Sequence, residues 1–138
     1  MKARIKWIEN VSFACESGSG HALVMDGAPE AGGRNLGPRP MEMVLMGAGA
    51  CSAFDVVEIL RKSRQPLADC VVDIDAERAD THPKVFTRIH LHFVVTGNGL
   101  DAAKVERAIK LSAESYCSAT AMLAKTAVVT HDFEIRAA

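Results

Sequence analysis

The sequence predicts an α+β fold, with strands and helices grouped in blocks. Polar and apolar residues alternate over residues 2–8, 11–16, 21–26, 68–78, 85–96 and 127–136, as is typical of half-buried strands. Apolar residues recur at helical spacing over two longer segments, residues 40–63 and 100–115. Because the strands do not alternate strictly with helices, the order favours α+β over a parallel α/β sheet.

Turn residues divide these elements. The sequence SGSG at 17–20 separates the second strand from the third, and His82-Pro83 lies between two long strands that we expect to form a hairpin. Residues 27–39, GAPEAGGRNLGPR, are rich in glycine and proline and predict a long loop. A loop of this length in a small domain is often functional.

Three helices are predicted. Pro40 is well suited to the first position of a helix that continues to about Ser63, since proline lacks the amide that has no partner there. A second helix runs from Leu100 to about Ser115, with Asp101 as its N-cap. A short helix from Cys117 to about Ala124 precedes the last strand.

Composition limits the function. The 138 residues predict one domain, 1–138, and 49% hydrophobic and 24% charged residues are typical of a globular protein. A net charge of -1 without a basic stripe argues against a nucleic-acid partner. No apolar run is expected to reach the roughly 18 to 20 residues of a membrane span, and the N-terminus does not resemble a signal peptide. We therefore expect a cytoplasmic protein with neither a nucleic-acid nor a membrane partner.

The four cysteines are candidates for chemistry: Cys15, Cys51, Cys70 and Cys117. In a reducing cytosol we do not expect structural disulfides, and no two are spaced as in a CxxC motif. Each is therefore either an inert core thiol or a reactive one. No cofactor is predicted, and no metal site either, because His90 and His92 share a strand face but lack a third ligand at a fixed spacing.

The first helix is apolar on nearly all sides from Met41 to Ala50, which predicts burial against a second copy of the chain in a homodimer. Gly47 and Gly49 are each unfavourable in a helix by about 0.5–1 kcal/mol relative to alanine. Either close helix packing or access to the Cys51 sulfur would offset this cost. Asp55 and Glu58 lie on the Cys51 face, where they would raise its pKa, and we expect them at the rim, bonded to a group such as Arg61 or to a partner chain.

Cys117 lies at the start of the last short helix, where free amides favour the thiolate. This makes it a candidate nucleophile or metal ligand. Cys15 and Cys70 lie in predicted strands without any local feature that lowers a thiol pKa, so we interpret both as structural.

The stretches "RPMEMVLMGAGACSAFDVVEILRKSRQ" and "LSAESYCSATAML" resemble the OsmC/Ohr family of osmotically inducible and organic hydroperoxide resistance proteins, in particular its YhfA-like branch. The resemblance implies antiparallel sheets around long central cysteine-bearing helices in an intertwined homodimer. It implies thiol-dependent reduction of organic hydroperoxides, with Cys51 as the peroxidatic cysteine and Cys117 as the resolving one. A dithiol reductant of the lipoyl type would then open their disulfide.

The resemblance also implies a glutamate at the helix start, for which Glu42 is the candidate, and an arginine that orients it and the thiolate. Arg34 and Arg39 are the candidates for that arginine, with a slight preference for Arg39 because it borders the helix. Two positions differ from the family pattern: Met41 stands where the family glutamate follows proline, and Ser118 stands where proline usually follows the resolving cysteine. These differences favour an alternative, a non-catalytic dimeric module that binds an apolar small molecule.

Overall fold

A computed structural model describes all residues, 1–138, and has an α+β fold, as predicted. The strands are β1 (Ala3–Glu9), β2 (Ser12–Ser17), β3 (Ala22–Asp26), β4 (Asp69–Arg78), β5 (Phe86–Thr96) and β6 (Val128–Arg136). The helices are α1 (Pro40–Lys62), α2 (Ala102–Leu111) and α3 (Ser118–Leu123). Each predicted strand and helix is present, with small differences at its ends.

The chain divides into two compact units, residues 1–46 and residues 47–138, which are called here the first and the second unit. That residues 1–138 form a single domain stays a prediction.

The first unit contains an antiparallel sheet in the order β1-β2-β3. The loop that follows is held by Asp26, whose carboxylate accepts hydrogen bonds from the backbone amides of Gly27, Arg34 and Leu36. The amide of Arg34 is the main cause that lowers the Asp26 pKa, and burial opposes it. The predicted loop is thus a fixed structure that contains one 3-10 turn, Pro29–Ala31.

The second unit contains a mixed sheet in the order β4-β5-β6. Strands β4 and β5 form the predicted antiparallel hairpin, but β6 pairs with β5 in parallel. The expectation that all sheets are antiparallel is therefore wrong for β6. It reaches β5 after a crossover through α2 and α3, and a long crossover permits parallel pairing whereas a tight turn does not. The central strand β5 supplies much of the core, with Ile89, Leu91, Phe93 and Val95 buried.

Within the second unit, α1 has one buried and one exposed face. Ala48, Ser52, Val56 and Leu60 recur every four residues and are buried. Gly47, Ala50 and Phe54 are exposed, and Phe54 retains 68% of its accessible surface. The small residues therefore have different roles. A Cβ at Gly49 would lie 2.5 Å from Ile74 Cδ1, so Gly49 allows α1 to approach β4, whereas a Cβ at Gly47 would meet nothing within 4 Å.

By length and composition alone, α1 is long and apolar enough to cross a membrane, so the expectation that no segment approaches a span is wrong for Pro40–Lys62. In the structure, 28% of the most apolar 18-residue stretch of this helix is buried, counted by residue. A core helix of a soluble protein passes the same test, so one such helix is only a weak indication of a membrane span.

A π-helical turn and Cys117 connect α2 to the last helix, α3. Asp101 caps α2 as predicted, because its carboxylate accepts a hydrogen bond from the Ala103 amide at 2.9 Å. The predicted second helix ends earlier than expected as regular α-helix, since Ser112–Tyr116 form a π-helical turn. Cys117 then has extended backbone angles and is the N-cap of α3.

Candidate active site

Three side chains of the second unit form one cluster. The Sγ atoms of Cys51 and Cys117 and a carboxylate oxygen of Asp55 all lie within 4.8 Å of one another. Cys51 and Asp55 are one turn apart on α1, and Cys117 caps α3. The disulfide that the family resemblance implies requires the two thiols to be neighbours, and the structure confirms that they are. None of the four cysteines forms a disulfide in this structure.

Cys117 accepts two hydrogen bonds at its sulfur. The Ser52 hydroxyl donates to Cys117 Sγ over 3.3 Å, and the Thr120 backbone amide donates over 3.5 Å. Burial raises the pKa of the Cys117 thiol, but the hydrogen bonds from Ser52 and Thr120, together with that from Cys51, outweigh it. The pKa of Cys117 is therefore below that of an ordinary thiol.

Cys51 has the opposite shift. Burial raises its pKa, the Ala119 backbone amide opposes burial, and Cys117 and the Asp55 carboxylate raise the pKa further. The Asp55 effect has the sign expected for a carboxylate beside a thiol. The hydrogen bonds from Ser52 and Thr120 thus favour a thiolate at Cys117, whereas burial and the Asp55 carboxylate disfavour one at Cys51.

The two sulfurs differ in acidity and in exposure to solvent. Cys117 is 2% exposed, whereas Cys51 is only partly buried. A solvent molecule or substrate thus meets Cys51 first, with the more acidic thiol directly behind it. This arrangement suits chemistry in which Cys51 reacts first with a molecule from solvent and Cys117 then reacts with the Cys51 sulfur.

Asp55 is held in the cluster by a buried serine. The Ser112 hydroxyl lies 3.0 Å from Asp55 Oδ2 and 3.4 Å from the Ser52 carbonyl oxygen. Within this chain, the bonding partner of Asp55 is therefore Ser112 and not Arg61, and a bond from Asp55 to a partner chain stays a prediction. Glu58 is nearer to that expectation, because it forms an ion pair with Lys62 at 3.2 Å.

The other predicted site residues lie in the first unit. Arg39 forms an ion pair with Glu42, with 3.5 Å between the guanidinium and the carboxylate, and its backbone amide also donates to Glu42 over 3.0 Å. Arg34 forms an ion pair with Glu9. The catalytic roles of Arg34, Arg39 and Glu42 stay predictions.

The remaining thiols and the histidines lie outside the cluster. Cys15 is 7% exposed, and burial, followed by the Asp69 carboxylate, raises the pKa of the Cys70 thiol. His90 and His92 both contact Asp132 on the sheet, at 3.1 and 2.6 Å.

Three site residues were missed in the sequence analysis: Ser52, Ser112 and Thr120. Their side chains or amides act on the thiols and Asp55 across as many as 65 positions of sequence. Only the Thr120 contact had a local signal in the sequence. Thr120 follows Cys117 by three positions, and the side chain of an N-cap residue accepts a hydrogen bond from the backbone amide at that position.

The fold and the cluster together define a two-cysteine thiol protein of α+β class. The chain belongs to the OsmC family: the family model described as OsmC-like protein matches residues 32–132.

Relatives agree with this assignment. Protein YhfA of Escherichia coli (strain K12) is 52% identical over 138 residues, which cover 100% of both chains. A crystal structure of a hypothetical protein from Aquifex aeolicus VF5 has a TM-score of 0.87 and 27% identity, covering 99% of this chain and 96% of that one. A structure described as an organic hydroperoxide resistance protein OsmC and predicted redox protein, from Legionella pneumophila, has a TM-score of 0.70 and 17% identity. It covers 96% of this chain and 95% of its own, and it shows likeness of fold alone.

Proposed function

We propose that this chain is a cytoplasmic, homodimeric, thiol-dependent redox protein that reduces organic hydroperoxides with Cys51 and Cys117. The observation that carries the proposal is the approach of two free sulfurs, one accessible and one buried with a lowered pKa, to within 4.8 Å. Membership of the OsmC family and the fold of hydroperoxide resistance proteins support it.

The first chemical step takes place at Cys51, the accessible sulfur. Its thiolate attacks the terminal oxygen of the hydroperoxide, the O–O bond breaks, and the alkoxide leaves and takes up a proton as the alcohol. Cys51 becomes a sulfenic acid. The buried thiolate of Cys117 is placed to accept the Cys51 proton before this attack and to give it to the departing alkoxide, which leaves Cys117 as a thiolate again.

The second step joins the two sulfurs. The Cys117 thiolate attacks the Cys51 sulfur, the S–O bond breaks, the hydroxide takes up a proton from solvent as water, and an intrachain disulfide forms. Its lowered pKa favours this role, because the thiolate is the attacking form. A dithiol of the lipoyl type then supplies two electrons, and its own disulfide is the product.

An apolar peroxide suits the exposed side of the site. Phe54 lies three positions after Cys51 on α1 and is largely exposed. Its ring offers apolar surface within one helical turn of the accessible thiol. This supports an organic hydroperoxide over hydrogen peroxide as the substrate.

An arginine from residues 27–39 completes the proposal, as a cation that favours the Cys51 thiolate. Arg39 remains the preferred candidate, with Glu42 as the carboxylate that orients it, because the two form an ion pair. Alkylation of the reduced protein near neutral pH tests this role. Arg39→Ala should slow labelling of Cys51 more than Arg34→Ala does, and equal rates in both variants and the parent would contradict it.

The activity is tested by hydroperoxide consumption with a lipoyl-type dithiol as reductant. Cys51→Ser should abolish turnover, and Cys117→Ser should leave one reduction per chain followed by overoxidation of Cys51. Cys15→Ser and Cys70→Ser are the matched controls and should retain turnover. If the parent consumes no hydroperoxide but binds an apolar probe equally well without Cys51 and Cys117, the chain is a non-catalytic binding module instead.

A further inference from the structure

We propose that Cys51, Cys117 and Asp55 form a three-ligand site for Zn²⁺, with the fourth position open to solvent. Two sulfur ligands and one oxygen ligand are a donor set that zinc accepts. The binding does not depend on peroxide chemistry. Its consequence, that bound zinc protects the thiols from oxidation and inhibits reduction of hydroperoxides, rests on the proposed function.

The spacing of the ligand atoms fits a tetrahedral ion after a small contraction. All three lie within 4.8 Å of one another. Zinc bonds of about 2.3 Å to sulfur and 2.0 Å to oxygen place such ligands about 3.5–3.8 Å apart. Rotation about side-chain bonds of Cys51 and Asp55, both only partly buried, can supply the difference.

The ligands are already oriented by groups behind them. Ser112 donates to Asp55 Oδ2, which leaves the other carboxylate oxygen free, and Ser52 donates to Cys117 Sγ. Hydrogen bonds of this kind fix metal ligands and strengthen binding. Both serines are buried, at 1% and 3% exposure, so their hydroxyls are held in place by packing.

The electrostatics of the cluster also favour a cation. The Asp55 carboxylate and the two sulfurs lie within 4.8 Å of one another, so thiolates formed there without a cation would repel the carboxylate. A divalent cation reverses this effect, because a coordinated thiol is deprotonated outright. Binding of Zn²⁺ by the two thiols and the carboxylate would release the protons that the thiols hold. Soft thiolates select zinc over magnesium or calcium.

The test uses the reduced full chain and Co²⁺ as a spectroscopic probe. One equivalent should produce a thiolate-to-cobalt charge-transfer band and the visible bands of tetrahedral cobalt, and one equivalent of Zn²⁺ should remove both. Cys51→Ser and Asp55→Asn should each weaken Zn²⁺ binding at least tenfold, as measured by competition with a chromophoric chelator. Ser112→Ala should weaken it about tenfold.

Cys70→Ser and Glu58→Gln are the matched controls, since neither residue belongs to the cluster, and both should bind as the parent does. Circular dichroism identifies variants that fail to fold, and Cys51→Ser, at a partly exposed position, is the variant on which the test relies. Absence of the cobalt bands, or equal Zn²⁺ affinity in Cys51→Ser and the parent, overturns the proposal. Zinc binding without hydroperoxide turnover would instead retain the site and refute the proposed function, and turnover without zinc binding would do the reverse.

Discussion

The Ser52 hydroxyl donates a hydrogen bond to the Cys117 sulfur across 3.3 Å, and both side chains are buried. The two residues come from different helices and are 65 positions apart. The bond links the residue directly after Cys51 to the second thiol of the site. It is one of the main causes that hold the Cys117 pKa below its ordinary value.

The first prediction concerns this bond. Ser52→Ala should raise the pKa of Cys117, because the thiolate loses a donor that stabilises it. The thiolate absorbance of a Cys51→Ser background, titrated against pH with and without the second change, measures the effect. Ser63→Ala is the control, because the Ser63 hydroxyl bonds only to the Leu60 carbonyl near the end of α1. An unchanged titration in Ser52→Ala would show that the bond does not act on the thiol.

The second prediction separates the two glycines of α1. Gly49→Ala should destabilise the protein by about 1–2 kcal/mol, because overpacking against Ile74 Cδ1 exceeds the gain in helix propensity. Gly47→Ala should cost less than Gly49→Ala, since nothing in its own chain lies within 4 Å of the added methyl group. Denaturant unfolding measures both changes.

Ile74→Val provides the internal check, because it removes the Cδ1 atom that the new methyl group meets. In the Ile74→Val background, Gly49→Ala should cost less than it does in the parent. Equal costs in both backgrounds would contradict the contact. A loss of stability in Gly47→Ala would show that another chain covers this face of α1.

The third prediction concerns the homodimer. Phe54 is 68% exposed in the isolated chain, and Val44 and Met46 on the same helix are also exposed. A stable interface that covers such a helix often buries more than about 2,000 Å² in total. Sedimentation should therefore find dimers at micromolar concentration, and Met46→Asp should shift them towards monomer. Lys62→Ala, a change of an exposed charged residue on α1, should leave the dimer intact, and a stable folded monomer of the parent would rule the dimer out.

The fourth prediction concerns pH. His92 Nδ1 lies 2.6 Å from Asp132 Oδ1, and this bond is the main cause that raises the His92 pKa above 6.5 and lowers the Asp132 pKa below 3.8. The histidine contribution to stability is complete below pH 6.5 and is lost as pH rises through the raised pKa. The carboxylate contribution is complete above pH 3.8 and is lost as pH falls through the lowered pKa.

The pair therefore stabilises the fold most between these two values. Asp132→Asn should bring the His92 pKa down towards 6.5, as followed by the ring proton shifts in NMR. It should also reduce the difference in stability between pH 5 and pH 8. A His92 pKa that does not move would mean that the ion pair does not form in solution.

Local sequence patterns were enough to predict much of the fold. Alternation located the six strands, Pro40 and Asp101 marked two helix starts, and His82-Pro83 lies in the turn of the β4-β5 hairpin. The parallel pairing of β6 was not predictable in this way, because alternation shows which face of a strand is buried and not the direction of its partner. The π-helical turn at 112–116 was missed for a related reason, since its sequence is compatible with a continuing helix.

The site was predictable only in part. The two thiols were found from the family resemblance, and the effect of Asp55 on Cys51 followed from helical spacing. The hydrogen bonds of Ser52 and Ser112 were not predictable, because each joins α1 to the segment after α2 across more than 55 positions. Serines in a helix are most often solvated or bonded to their own backbone, so nothing in the local sequence marked these two.

The most direct test of the two-thiol account is peptide mapping after one equivalent of an organic hydroperoxide. The reduced protein is treated, blocked with an alkylating reagent and digested without reduction, and the linked peptides are identified by mass spectrometry. The account predicts an intrachain disulfide between Cys51 and Cys117, with Cys15 and Cys70 alkylated. A Cys51 disulfide to Cys15, to Cys70 or to Cys51 of another chain, or recovery of Cys51 and Cys117 as free thiols, would contradict it.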